Sequence, residues 1–361
     1  MARPTRAILN LDALRHNLGV ARAAAPNTQV MAVVKANAYG HGALTIARAL
    51  EPMVDALAVA AIEEALALRE AGVAARILLL EGPFSADELT LCAVHNFAVV
   101  VASEQQLLWL EAATLPVPVT AWMKIDTGMH RLGVAPELAG DFHRRLRDCP
   151  NVADEVVSCT HFASADELDG GQTREQLALF ERVTATLPGP RSTANSPAVL
   201  AWPAAHYDWI RPGYMLYGDS PFAVPQANAD QLRPVMTLRS EIIALRDVPA
   251  GETVGYGATW RAARDSRIAT VTVGYGDGYP RTAANGTPVL VRGQRAALAG
   301  RVSMDMITVD VTDIALVAIG DEAVLWGEGL PVGEIARHAG TIGYELLTRM
   351  PARTPRLAVG H

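Results

Sequence analysis

Cysteine is scarce in this chain: Cys92, Cys149 and Cys159 are the only three in 361 residues. An odd number, in no metal-ligand spacing, argues against a disulfide framework or a structural zinc site. Three reduced packing thiols in an intracellular protein are the expectation. Basic charge is not in excess either. The 31 Lys and Arg against 38 Asp and Glu leave a net charge of -7, which argues against nucleic acid as a partner. No run of like charges suggests a basic arm or an acidic tail. No uninterrupted apolar stretch approaches the roughly 18 residues of a membrane-spanning helix. After Arg3 and Arg6, the residues Asn10, Asp12 and Arg15 stand where a signal peptide needs its apolar segment. Internal repeats and low-complexity tracts are absent too. The expectation is a soluble, cytoplasmic protein with no membrane partner. A hydrophobic content of 50% over this length suffices for about two domains.

From Asp12 to about Arg211, short β-rich apolar runs alternate with helical patterns. The runs are Val30–Val34, Ala56–Ala60, Ile77–Leu80, Phe97–Val101, Val119–Ile125, Val156–His161, Ser192–Asn195 and Tyr207–Arg211. Ala/Leu/Glu-rich segments of helical period, such as Ala61–Ala71, Ser103–Ala113 and Thr173–Leu187, lie between them. Eight strands with helical crossovers fit an α/β fold of the (β/α)8 TIM-barrel type. A doubly wound open sheet competes, but its usual Gly-rich phosphate loop is missing after the first strand. Beyond Gln231 the texture changes to antiparallel strands with Gly/Pro turns, at Thr237–Leu245, Ile268–Val273, Thr287–Val291, Met306–Val311 and Ala323–Trp326. Helical segments are expected at Val332–His338 and around Tyr344–Arg349. The reading is a barrel over 8–230 and a mostly β domain over 231–361, with residues 1–7 pairing with the latter. The hinge falls near Ser220–Gln231, where Pro221 and Pro225 cluster with polar residues.

In such a barrel the site forms at the carboxyl ends of the strands. That rule gathers Lys35, Tyr39, Lys124, Arg131, His161, Ser196 and Arg211 from scattered positions. The run Val30–Val34 delivers Lys35, and a lysine there can form a Schiff base with a carbonyl compound; position alone also fits a solvated lysine. Ser196, in Asn195-Ser196-Pro197, opens a short helix and offers a hydroxyl and free backbone N–H groups to an anion, or serves as a plain cap. Arg211-Pro212-Gly213-Tyr214 supplies a fixed cation and a glycine where backbone can approach a ligand. The segment Lys124–Gly133 sets two cations and a carboxylate around a strand end, as a site or as a surface cluster. His161 fits a ligand contact or a hydrogen-bonded core histidine. Gly255-Tyr256-Gly257 and Gly274–Gly278 would pass for tight β turns.

Taken together, these segments resemble alanine racemase, a pyridoxal phosphate enzyme family of fold type III. The resemblance runs through Val33–Gly42, Lys124–Gly133, His161–Ala163, Asn195–Pro197, Arg211–Gly218, Gly255–Gly257, Gly300–Asp305 and Thr341–Leu346. It implies a head-to-tail homodimer whose active sites draw on both subunits, with pyridoxal 5′-phosphate as cofactor and L- or D-alanine as substrate. Lys35 then corresponds to the lysine that holds the cofactor, and serves as base on the D-alanine face. Tyr256 corresponds to the second base, on the L-alanine face, contributed across the dimer interface. A tyrosine ordinarily keeps its proton to about pH 10, so this role requires a cationic or hydrogen-bonded neighbour; the resemblance names His161. Arg211 corresponds to the arginine facing the pyridine nitrogen, which suppresses transamination by weakening the ring as an electron sink. Tyr39, Ser196, Tyr344 and the backbone around Gly213 and Tyr214 correspond to the phosphate cradle. Arg131 corresponds to the arginine near the cofactor's phenolic oxygen and the substrate carboxylate, and Met304 to a position whose backbone meets that carboxylate from the partner subunit. Lys124 matches a lysine that is carbamylated in many members. Ser303 departs from a cysteine that often precedes the Met-Asp pair. The reaction expected is racemisation of alanine, supplying D-alanine for peptidoglycan or serving alanine catabolism. Alternatives are a racemase of broader specificity, a fold type III decarboxylase, and a non-catalytic pyridoxal phosphate carrier, which would need no Tyr256-bearing domain.

Overall fold

Apolar runs that are buried along their whole length set the architecture. The computed structural model describes residues 3–360. After strand β1 (Arg6–Asn10), the chain alternates helices with β2 (Gln29–Val33), β3 (Ala56–Val59), β4 (Ile77–Leu79), β5 (Phe97–Val101), β6 (Val119–Lys124), β7 (Val152–Cys159), β8 (Arg191–Ser192) and β9 (Trp209–Ile210). Strands β2 to β8 pair in sequence order, and β9 pairs with β2. All of these pairings are parallel. The seam between β8 and β9 is closed by Asp208 N–H to Arg191 O (3.1 Å) and Arg211 N–H to Ala194 O (2.9 Å). Strands such as Ala56-Leu57-Ala58-Val59 are buried at every residue, because crossover helices cover the outer face while side chains fill the interior. The expected (β/α)8 barrel is therefore present, and the eight apolar runs read from the sequence are its strands.

The second layer is a mixed sheet. It is built from β10 (Met236–Val248), β11 (Thr253–Val254), β12 (Trp260–Arg261), β13 (Ser266–Val271), β14 (Pro288–Val291), β15 (Gln294–Leu298), β16 (Ile307–Asp310), β17 (Glu322–Trp326) and β18 (Arg356–Val359). The main sheet runs β13-β16-β15-β14-β17-β10-β1-β18, with β13 also pairing β10, while β11 and β12 form a separate hairpin. Pairing of β13 with β10 closes six of these strands on themselves, which removes exposed sheet edges. Strand β1 pairs antiparallel with β10, setting Ile8 against Thr237 and Leu9 against Met236. A domain boundary at residue 8 thus falls inside a strand of the second sheet. Met1 and Ala2 lie outside the described residues. Strands β1, β11, β12, β15 and β18 are not among the apolar runs. Gln294-Arg295-Ala296-Ala297-Leu298 carries helix-favouring residues, and becomes a strand because a two-residue turn, Arg292-Gly293, with φ of 52° and 75°, folds it back on β14. Among the described residues no helix is long and apolar enough to cross a membrane.

Candidate active site

Lys35 stands two residues beyond β2, at the carboxyl end of the barrel. The backbone after it does something the sequence does not announce. Ala36, Asn37, Ala38 and Tyr39 all adopt left-handed conformation, with φ of 52°, 55°, 53° and 49°. None is glycine, so each step costs roughly 1–2 kcal/mol. The turn is held by its surroundings. Glu64 Oε1 accepts the Ala36 N–H at 2.6 Å and its Oε2 accepts the Ala60 N–H at 2.8 Å, while Asn37 Oδ1 accepts the Ala43 N–H at 2.8 Å. His41 is fully buried beneath it, its Nδ1 facing the carbonyls of Ala38 and Tyr39. Glu64→Ala is expected to destabilise the fold by about 2 kcal/mol in urea denaturation, the worth of one charge-assisted hydrogen bond with the second partly replaced by water. A variant as stable as the parent would show that the turn does not depend on this carboxylate.

The barrel mouth gathers cations. Burial lowers the pKa of Lys35; Glu81 and Glu64 oppose this and Arg131 adds to it. Lys124, the last residue of β6, is likewise pushed down by burial, and by Arg211, Arg131 and Lys35, against the nearby Cys159 thiol. His161 is driven well below the ordinary imidazole range, first by burial and then by Arg211, Lys124, Arg131 and Lys35. At neutral pH it is therefore an uncharged ring, so the cationic alternative for the tyrosine's neighbour is closed at this position. Arg211 is buried, and among the described residues its guanidinium bonds only neutral acceptors: Ser192 Oγ at 2.5 Å, Thr160 O at 2.6 Å and Thr193 O at 3.3 Å. A charge fixed without a carboxylate partner is costly unless something anionic or electron-rich comes to it. The carboxylate of the Lys124–Gly133 segment has a different task. Asp126 Oδ1 accepts the backbone N–H of Gly128 and His130, each at 3.0 Å, and so shapes the loop that carries Arg131.

Beside the cations lies a cradle of hydroxyls and backbone amides. The helix Ser196–Ala201 is capped by Asn195, whose side chain accepts the Ala198 N–H. Ser196 is thereby released from capping, and its Oγ meets the N–H groups of Gly213 (2.9 Å) and Met215 (3.2 Å). A Cβ on Gly213 would come 2.7 Å from Tyr39 Oη, so glycine is what allows the hydroxyl to lie against this backbone. Tyr39 is buried, and burial lifts its phenol to about 12. Its ring stacks on Tyr217 at 4.7 Å and lies 6.3 Å from Tyr344. Tyr344 in turn stacks on Tyr214, 3.5 Å between centroids and 8° from parallel.

Two of the sequence-selected residues are placed differently. Tyr256 lies between Gly255 (φ 78°) and Gly257 (φ 73°) in the second domain and is 71% exposed. Met304 is 53% exposed, its carbonyl taking the Gly276 N–H at 2.9 Å. Among the described residues no hydrogen bond, ion pair or aromatic contact joins either to the Lys35 cluster. Glu64, Glu81, Thr160 and Ser192 serve the site and were not singled out from the sequence. One composition signal would have pointed straight to it: the chain has only two lysines, Lys35 and Lys124, and both stand at this mouth.

Comparison with known proteins agrees along the whole chain. Residues 9–221 match the family model described as alanine racemase, N-terminal domain, and residues 235–358 the one described as alanine racemase, C-terminal domain. The chain is 54% identical over 345 residues to an alanine racemase of Aeromonas hydrophila, covering 96% of both. It is 53% identical over 348 residues to one of Vibrio cholerae, again covering 96% of both. The crystal structure of the biosynthetic alanine racemase from Pseudomonas aeruginosa superposes with a TM-score of 0.95 at 50% identity, covering 99% of this chain and all of that one.

Proposed function

The chain belongs to the alanine racemase family, and from that premise we propose how it interconverts L- and D-alanine. The barrel mouth would hold pyridoxal 5′-phosphate, and Lys35 and Tyr256 of the partner subunit would exchange the Cα proton from opposite faces. The observation that carries this reading is the convergence of Lys35, Lys124, Arg131, His161 and Arg211 beside the Ser196–Gly213 cradle. The residues present fit such a cofactor. Ser196 Oγ, the Gly213 and Tyr214 backbone, and the hydroxyls of Tyr39 and Tyr344 would hold its phosphate. Arg211 would face its ring nitrogen, the electron-rich atom that this buried cation lacks. When bound, the cofactor supplies an aldehyde that joins to amines and a conjugated ring that spreads negative charge from Cα.

This chain's own groups then do the rest. Burial keeps Lys35 inclined to its neutral amine, the form that accepts a proton, and the likeness to the family gives it the D-alanine face. Tyr256 serves the L-alanine face, because racemisation takes a proton from one side and returns one to the other. Its exposure within its own chain suits a side chain that completes a neighbour's site. His161, uncharged, offers the tyrosine hydroxyl a hydrogen bond rather than a charge. Arg211, always protonated, would disfavour a proton on the ring nitrogen of a bound cofactor, so that the ring would draw less charge from Cα and the proton would be returned there. Arg131 and the backbone of Met304 of the partner subunit bind the substrate carboxylate. Lys124, its ammonium disfavoured by burial and then by three neighbouring cations, is the amine that carbon dioxide would convert to a carbamate, whose negative charge would orient Arg131. The product D-alanine suits peptidoglycan synthesis. A decarboxylase or a non-catalytic carrier is not favoured, since both domains match racemases. The test is chiral quantification of alanine after mixing the protein, pyridoxal 5′-phosphate and pure L-alanine. Approach to an equal mixture of enantiomers is expected; unchanged L-alanine would reject the reading.

A further inference from the structure

The strap that leaves the barrel carries a carboxylate that the chemistry above does not use. Asp219 follows Gly218, whose φ of 88° ends the turn Tyr214–Tyr217. Three parts of the molecule meet at this side chain. Tyr214 Oη donates to its Oδ2 at 2.5 Å. The helix Val332–Ala339 brings up Gly333, on which a Cβ would come 2.9 Å from that same oxygen. The helix Gly343–Thr348 begins with Gly343, on which a Cβ would come 2.8 Å from Asp219 Oδ2 and 2.0 Å from Tyr214 Oη. Two helices of the second domain therefore carry glycines in their first turns that leave room for one hydrogen-bonded pair on the barrel side. Burial raises the Asp219 carboxyl, and the Tyr214 hydroxyl, the Gly333 N–H, Arg337 and the Ser220 N–H oppose that rise.

The residue after Gly343 is Tyr344, whose ring lies flat on Tyr214, and the residue before Tyr214 is Gly213, whose N–H meets Ser196. Fixing the Tyr214 hydroxyl therefore fixes one wall of the cradle from the second domain and the other from the barrel. We propose that Asp219 is a positioning residue for the phosphate cradle, locking Tyr214 so that Tyr344 and the Gly213–Met215 backbone converge on one phosphate. The proposal rests on the reading of that cradle as the cofactor's phosphate site. A role confined to tying two domains together would change stability and leave the recognition of phosphate untouched, so phosphate selectivity is the quantity that distinguishes the two.

The full chain, stripped of cofactor, is titrated separately with pyridoxal 5′-phosphate and with pyridoxal, and binding is followed by visible absorbance. The parent protein is expected to prefer the phosphorylated form. Asp219→Asn sets an amide N–H2 against either the tyrosine hydroxyl or the Gly333 N–H. Tyr214→Phe keeps the stacked ring and removes only the hydroxyl. Each is expected to cut the preference roughly ten-fold, the size of one charge-assisted hydrogen bond, with pyridoxal binding unchanged. The double variant should lose little beyond either single one, because both remove the same contact. An unaltered preference in the variants, with the parent selective, overturns the role of Asp219 and leaves the cradle standing. A parent without preference overturns the cradle reading itself. If Asp219→Asn fails to fold, Tyr214→Phe decides alone, and unaltered selectivity there overturns the proposal.

Discussion

Lys35→Ala is expected to lower alanine racemisation on the order of 10⁴-fold, the upper range for removing a positioned base, with further loss from the missing cofactor anchor. The fold should survive. Burial, and after it Arg131, disfavours the charge of Lys35 against the pull of Glu81 and Glu64, and its backbone amide is not what Glu64 holds. The thermal midpoint should therefore stay within a few degrees of the parent's, or rise. Turnover is read by chiral separation of alanine, and chemistry at Cα by deuterium entry in heavy water. Both should collapse together, and a small primary amine added to the medium should recover part of the exchange. Full activity in the variant without added amine would remove Lys35 from the mechanism.

Tyr256→Phe carries the second large effect, and its signature is direction rather than size alone. The side chain is 71% exposed within its own chain, so losing the hydroxyl should leave the folding stability of the single subunit within about 0.5 kcal/mol. Deuterium entry at Cα starting from L-alanine should fall about 10²–10³-fold. Starting from D-alanine, where Lys35 takes the proton, the first exchange should be affected far less. Equal losses from both enantiomers would contradict the assignment of the two bases to opposite faces.

The barrel is legible in the sequence because its strands are buried on both faces, which turns each into a short continuous apolar run. Strands whose identity comes from pairing are not legible in that way. Arg6–Asn10 is specified by β10, and Gln294–Leu298 by the turn at Arg292-Gly293. The candidate site divides along the same line. Lys35, Lys124, His161 and Arg211 are found by asking which polar residues follow barrel strands, a local question. The left-handed turn after Lys35 has no local signal, since Ala36, Asn37, Ala38 and Tyr39 are held there by Glu64 and His41 against their own preference. Asp219 is illegible for a related reason: its use depends on glycines more than a hundred residues further along the chain, at Gly333 and Gly343.

The sharing of each site between two protomers is the central claim, and subunit mixing tests it most directly. Lys35→Ala and Tyr256→Phe proteins, each of low activity, are dissociated, combined in equal amounts and reassociated, and racemisation is measured. In the mixed dimer one site draws Lys35 from the Tyr256→Phe subunit and Tyr256 from the Lys35→Ala subunit, and is intact; the other lacks both bases. Random association makes half of the dimers mixed, so about one quarter of the parent's activity is predicted to return. If each site were built within one chain, no intact site could form. Activity no greater than the average of the two variants, with mixed dimers demonstrably present, would contradict the account.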